Sequence, residues 1–109
     1  MNLPAKITFC LAAGALCTIA ACSKVPVACY TADADLTNLH KLQTVSFVAT
    51  CSENAKAYDW RFYNTRTDSI FYGEMVSKVF SDTGNYTIFL SVSNKKYTDV
   101  ISQDVFVNP

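Results

Sequence analysis

The dominant period of the chain after Pro26 is two, with apolar side chains at every second position in three runs, a period that builds strands and not helices. Val45, Phe47 and Ala49 alternate with Ser46, Val48 and Thr50. Tyr58, Trp60 and Phe62 alternate with Asp59, Arg61 and Tyr63, and Tyr86, Ile88, Leu90 and Val92 with Thr87, Phe89, Ser91 and Ser93. Successive side chains of a strand point to opposite faces, so each run describes a strand with one buried face. Asp99 to Val107 is β-branched and apolar enough for a last strand. Turn-forming residues separate the runs at Ser52-Glu53-Asn54, Asp82-Thr83-Gly84-Asn85 and Ser93-Asn94-Lys95-Lys96. No stretch after Pro26 carries a helical stripe. The pattern predicts strands over 27–32, 44–51, 57–63, 69–72, 75–80, 85–93 and 99–107, hence an all-β antiparallel sandwich or small barrel of about seven strands. Thr31 to Leu42 is the least regular part; Asp35-Leu36-Thr37-Asn38-Leu39 fits one turn of helix or an irregular loop.

The N-terminus follows a different rule. Lys6 is the only charge before Ser23, and Ile7 to Ala21 runs fifteen residues without one. A spanning helix needs roughly 20 apolar residues, so the run suits the apolar region of a signal peptide, with small residues before the cut. Its end, Ile19-Ala20-Ala21-Cys22, resembles the lipobox of bacterial lipoproteins. That resemblance implies cleavage after Ala21 and lipidation of the Cys22 thiol. It divides the chain into a signal peptide (1–21), a lipidated tether (22–26) and a domain (27–109). One acyl chain holds a protein only marginally, whereas the two or three expected at Cys22 suffice. In some bacteria an acidic run after the lipidated cysteine directs export to the cell surface. Ser23-Lys24-Val25-Pro26 has none, so the expected location is the cell envelope, with the periplasmic face of the outer membrane favoured over the cell surface.

Five cysteines then sort by position. Cys10 and Cys17 leave with the signal, Cys22 carries lipid, and Cys29 and Cys51 remain as an even pair in an oxidising compartment, where a disulfide is expected. A tetrahedral metal site wants four closely spaced ligands; the chain has no C-x-x-C, and His40 is its only histidine. An antiparallel pairing of the first two strands, centred near His40, would bring Cys29 beside Cys51.

Without its first 21 residues the 109-residue chain keeps 88, loses Lys6 alone of nine Lys and Arg, and retains all nine Asp and Glu, for a formal charge of −1. That is one small domain whose core alone is marginal. With no basic patch or run in the sequence, nucleic acid is not an expected partner.

Two motifs carry a further resemblance. Tyr58-Asp59-Trp60-Arg61-Phe62 is similar to the Y-x-W-x-F core of the polycystic kidney disease (PKD) domain. Val79 to Asn94, an aromatic, a short turn with Gly84 and then Tyr86-Thr87-Ile88-Phe89-Leu90-Ser91-Val92-Ser93-Asn94, resembles that family's signature. The motifs stand in the family's order, and the resemblance covers roughly 27–107. It implies an immunoglobulin-like sandwich, usually extracellular and often a spacer or binding module. Trp60 would then be the central core residue, Gly84 a turn position with φ > 0, and Tyr86 a corner tyrosine bonding backbone across the turn. The family often continues W-D-F-G-D-G. Here Trp60-Arg61-Phe62-Tyr63-Asn64-Thr65 lacks that turn, so the next connection must differ and no role of those acidic residues carries over.

Catalytic chemistry has little footing. A nucleophile needs an adjacent base, and His40 lies in the irregular stretch with no nucleophile-elbow pattern. The carboxylates are scattered, and Asp33 with Asp35 lacks the Gly turn and further spaced acids of a calcium loop. No enzyme activity, cofactor or metal is expected. The aromatics are more informative. Phe47, Tyr58, Trp60, Phe62 and Tyr86 read as core, while Tyr63, Phe71, Tyr72, Phe89 and Tyr97 fall on opposite-parity or turn positions. Exposed aromatics stack on sugar rings or anchor protein interfaces. Tyr63 with Phe71 and Tyr72, flanking the atypical connection, is the candidate binding surface. The expected function is non-catalytic binding of a protein or polysaccharide at the envelope; the alternative is a spacer or accessory subunit of a larger envelope complex.

Overall fold

The alternation resolves into eight strands in a computed structural model that describes residues 24–109. The expected signal segment and lipidation site, 1–21 and Cys22, lie outside the described residues. The strands are β1 (Thr31–Ala32), β2 (Leu39–His40), β3 (Thr44–Val48), β4 (Ala57–Tyr63), β5 (Asp68–Tyr72), β6 (Met75–Val79), β7 (Gly84–Ser93) and β8 (Thr98–Asn108). They form a three-stranded sheet, β1-β3-β6, and a five-stranded sheet, β2-β8-β7-β4-β5. All pairs are antiparallel except β2, which runs parallel to β8. The extra strand relative to the sequence reading is β2. It carries two residues, too few for a period, and it forms because Leu39 buries completely while its backbone pairs with Val107. The stretch read as a helical turn or loop therefore ends on the edge of the larger sheet, and Asp35 caps its turn by accepting from the Thr37 N–H and hydroxyl.

The core lies between the sheets and is largely aromatic. Phe47 of the small sheet meets Trp60 and Phe62 of the large one at ring-centroid distances of 5.6 and 5.2 Å. Trp60 is fully buried, as the motif implied, and its indole N–H donates to the Gly73 carbonyl at 2.8 Å. Gly73, at φ 120°, makes the crossing from β5 in one sheet to β6 in the other. The motif's turn also holds: Gly84 has φ 112°, and the Asp82 N–H donates to the Tyr86 hydroxyl at 3.3 Å. Tyr58 differs from the reading. It shares the inward parity of Trp60 but stands at the end of the sandwich, half-buried, with its hydroxyl donating to Glu74.

Cys29 and Cys51 form the expected disulfide, with a Cα separation of 5.4 Å. The strand expected over 27–32 is interrupted at this point. Val27 bridges Glu53, and Thr31 pairs with Val48, a register one residue out of step with that bridge. Ser52 fills the gap: its hydroxyl accepts from the Cys29 N–H and donates to the Cys29 carbonyl. The connection that lacks the family's Gly-Asp-Gly is a turn organised by Asn64, whose side-chain oxygen accepts from the Arg66 and Thr67 N–H groups. Asn94 builds the β7–β8 turn the same way, accepting from Lys96 and Tyr97.

The chain enters the fold at one pole, beside the turns at 52–56 and 94–97, and reaches Pro109 at the other, beside the turn at 64–67. Lys24 to Pro26, within the expected tether, pack against the domain. Pro26 is fully buried, and the Lys24 and Val25 carbonyls accept from the side-chain amides of Asn94 and Asn54.

Candidate functional site

One face of the five-stranded sheet covers the core, and no other described element packs on the other. Register fixes what the free face presents. Because Trp60 and Phe62 point inward, Asp59, Arg61 and Tyr63 point outward, and pairing aligns them in rows. Tyr72, Asp59, Ser91 and Val100 form one row; Ile70, Arg61, Phe89 and Ser102 the next; Asp68, Tyr63, Thr87 and Asp104 the third. Phe106 follows beside Asn85. Ten large hydrophobic residues are exposed among the described residues, and half of them, Tyr63, Ile70, Tyr72, Val100 and Phe106, lie on this face. Tyr72 is the most open, at 73%. The other five lie on the entering segment, on turns and on the small sheet, so among the described residues apolar surface gathers chiefly on this face.

At the centre sits Arg61. Its Nε and Nη2 donate to the two carboxylate oxygens of Asp68 at 2.7 and 2.8 Å. Its guanidinium carbon lies 5.4 Å from the Tyr63 ring centroid and 5.7 Å from that of Phe89. The hydrogen bonds hold the Asp68 carboxyl below the usual carboxylate range and raise the already high Arg61 value, so both stay charged. Both side chains are nearly half exposed, and the pair adds little to stability. Its effect is positional: a long cation is held in one place against two rings. Taking strands about 4.8 Å apart and a rise of about 3.4 Å per residue, the face spans roughly 14 by 20 Å from β5 to β8 and from Val100 to Phe106. Serine, threonine and carboxylate side chains interleave the apolar ones, so the surface offers both stacking area and hydrogen-bonding groups.

The three residues singled out from the sequence do not converge. Tyr63 and Tyr72 share the outer face. Phe71 points the other way: it pairs with Trp60, and its ring meets Phe62 edge-on at 5.8 Å against the core. Adjacent residues of a strand cannot share a face, so the cluster is corrected to Tyr63 and Tyr72, with Arg61, Ile70, Val100 and Phe106 as members that sequence reading missed. Phe89 is outward and half-buried under Arg61; Tyr97 belongs to a polar turn. His40 is exposed on β2, and its backbone N–H donates to Gln43. Asp33 continues the β1–β3 ladder by accepting from the Ser46 N–H. Among the described residues no three His, Cys, Asp or Glu side chains gather in a way that could hold a metal ion.

No protein-family model matches this chain, and no curated protein does. Solved structures do. A carbohydrate-binding module from the β-sandwich superfamily, described for its promiscuous specificity, aligns with a TM-score of 0.65 and 18% identity over 79% of this chain, which spans 35% of that one. The PKD1 domain of Vibrio anguillarum Epp aligns with a TM-score of 0.60 and 24% identity, covering 79% of this chain and 96% of that domain. The PKD domain of the human receptor SorCS2 aligns at 0.54 with 13% identity, covering 76% and 74%. With the Trp60 core, the Gly84 turn and the Tyr86 corner in place, the chain has an immunoglobulin-like β-sandwich fold similar to that of these PKD domains.

Proposed function

We propose that this protein is a non-catalytic, lipid-anchored module of the bacterial cell envelope whose outer sheet face binds polysaccharide. The observation that carries the reading is the gathering of half the large hydrophobics exposed among the described residues on one sheet face, around an arginine held by Asp68. Sugar rings present apolar C–H faces and hydroxyl edges, which matches tyrosine rings interleaved with Asp59, Ser91, Ser102 and Asp104. A sheet face on which no other described element packs accepts the middle of a polymer and needs no chain end. The likeness to a carbohydrate-binding module supports the same reading.

Anchoring rests on the lipobox-like Ile19-Ala20-Ala21-Cys22 and predicts that Cys22→Ser releases the protein from membranes. Binding is tested by co-sedimentation of the purified protein with envelope polysaccharides. Tyr72→Ala and Arg61→Ala should each weaken retention about tenfold, the effect of losing one central contact. Unchanged retention in the Tyr63→Ala/Tyr72→Ala double variant would overturn the assignment of the face. Recovery of one stoichiometric protein and no glycan would make the chain an accessory subunit instead.

A further inference from the structure

The sequence has no basic run, yet folding makes a basic cluster. Lys24, Lys56, Lys95 and Lys96 come from three distant segments and line one open pocket of 520 Å³ at the pole where the chain enters the domain. They are half of the eight lysines and arginines in the described residues, and no carboxylate shares the lining. Glu53, on the same turn, is exposed and pairs its backbone with Val27, but it is not among the lining residues. The expectation that the chain carries no basic patch is corrected here: sequence distance hid it.

The gathering is held by specific bonds. The Asn94 side-chain amide donates to the carbonyls of Lys24 and Asn54, at 2.9 and 3.2 Å. The Lys56 N–H donates to the Ser93 carbonyl at 2.7 Å, and the Asn54 amide donates to Val25. These bonds fasten the entering chain to both lysine-bearing turns. Like charges held together repel, and an anionic partner relieves the repulsion.

We propose that this pole docks on anionic phospholipid headgroups, so that the anchored domain stands on its four lysines. The inference rests on the lipid-anchor reading above for its choice of partner. Lys24 is two residues from Cys22, and two extended residues span only about 7 Å. A lipid at Cys22 would hold the lysine rim within about a Debye length of the headgroups, roughly 8 Å at physiological salt. The strands of the large sheet run away from this pole, so docking would turn the aromatic face parallel to the bilayer normal and leave it open to a passing polymer.

The test uses mature protein purified from membranes and inserted into phosphatidylcholine vesicles with or without phosphatidylglycerol. Acetylation of each lysine by an amine-reactive ester is followed by mass spectrometry. Slower labelling of Lys24, Lys56, Lys95 and Lys96 only with phosphatidylglycerol, abolished at about 1 M NaCl where the Debye length is near 3 Å, is the expected result. Lys41 and Lys78 should be indifferent to lipid. Lys95→Gln/Lys96→Gln should abolish the protection of Lys24 and Lys56 at unchanged melting temperature, and Lys95→Arg/Lys96→Arg should keep it. Labelling independent of lipid composition overturns the docking while leaving the anchor intact. The anchor is read separately, as acyl mass on Cys22. If that mass is absent, the unanchored protein is sedimented with the same vesicles. Salt-sensitive binding, weakened about fivefold for each lysine removed, then sustains the docking surface, and no binding overturns it.

Discussion

Removing the disulfide should cost this domain a large share of its stability. The bond joins residues 22 apart. In the chain-entropy model a loop of that length restrains the unfolded chain by about 11 cal/mol/K, or about 3.4 kcal/mol at 25 °C. A domain of this size has a total stability of roughly 4–13 kcal/mol. The bond also has a local partner. Ser52 holds the Cys29 backbone by two hydrogen bonds, so in Cys29→Ala/Cys51→Ala the entering segment stays docked and the loss is mainly that of the unfolded state. At 4–8 °C per kcal/mol the melting temperature should fall by about 14–27 °C. Thermal melting by circular dichroism reads that fall. Denaturant unfolding adds an independent signature: without the cross-link the unfolded chain expands, so the m-value should rise. A fall of less than about 4 °C, or an unchanged m-value, would refute the loop-entropy reasoning and make Ser52 and the β1–β3 ladder the real clasp.

Three further substitutions probe the fold. Tyr86→Phe removes the acceptor of the Asp82 N–H and should cost about 0.5–1.5 kcal/mol by chemical denaturation; a neutral effect would mean that water replaces the hydroxyl freely. Gly84→Ala places no atom within 4 Å of the new methyl group, yet φ is 112°, so a loss above about 1 kcal/mol is expected from backbone strain alone, and a stabilised variant would contradict it. Lys78 faces inward from the edge strand β6, its ammonium 5.8 Å from the Phe62 ring, and burial, opposed by the charge of Asp82, pulls its pKa below the ordinary 10.5. The unfolded chain therefore holds the proton more tightly, and native stability rises as pH climbs from the folded value toward 10.5. Lys78→Met should lack that rise, so its stability relative to the natural chain should decline over the same window; a pH-independent difference would show that Lys78 is solvated. The same variant should self-associate more readily, because an inward charge protects an edge strand.

The sandwich was legible because its long strands carry many periods. β4 and β7 each repeat the alternation several times, β8 is long and rich in β-branched residues, and the Tyr86 corner and Gly84 turn are local chemistry that one sequence displays. β2 was not legible, since Leu39 and His40 are too few to show a period and their pairing with β8 bridges nearly seventy positions. The binding face failed at one residue for a physical reason available beforehand: Phe71 and Tyr72 are adjacent, so strand geometry had to send them to opposite sides. Its other members needed register. Nothing in the local sequence of Val100 or Phe106 aligns them with Tyr72 and Tyr63; pairing with β7 does. The lysine cluster needed the whole fold, because Asn94 and the turn at 52–56 assemble it from residues up to 72 positions apart.

The claim that the outer face of the large sheet is the binding surface is tested most directly by mapping amide chemical shifts of the labelled protein during titration with envelope polysaccharide. The perturbed amides should concentrate in β4 and β5, at Asp59, Arg61, Tyr63, Ile70 and Tyr72, and extend onto β7 and β8 near Phe89 and Val100. Perturbations confined to the small sheet or the polar turns, or a saturating titration that leaves β4 and β5 unmoved, would contradict it.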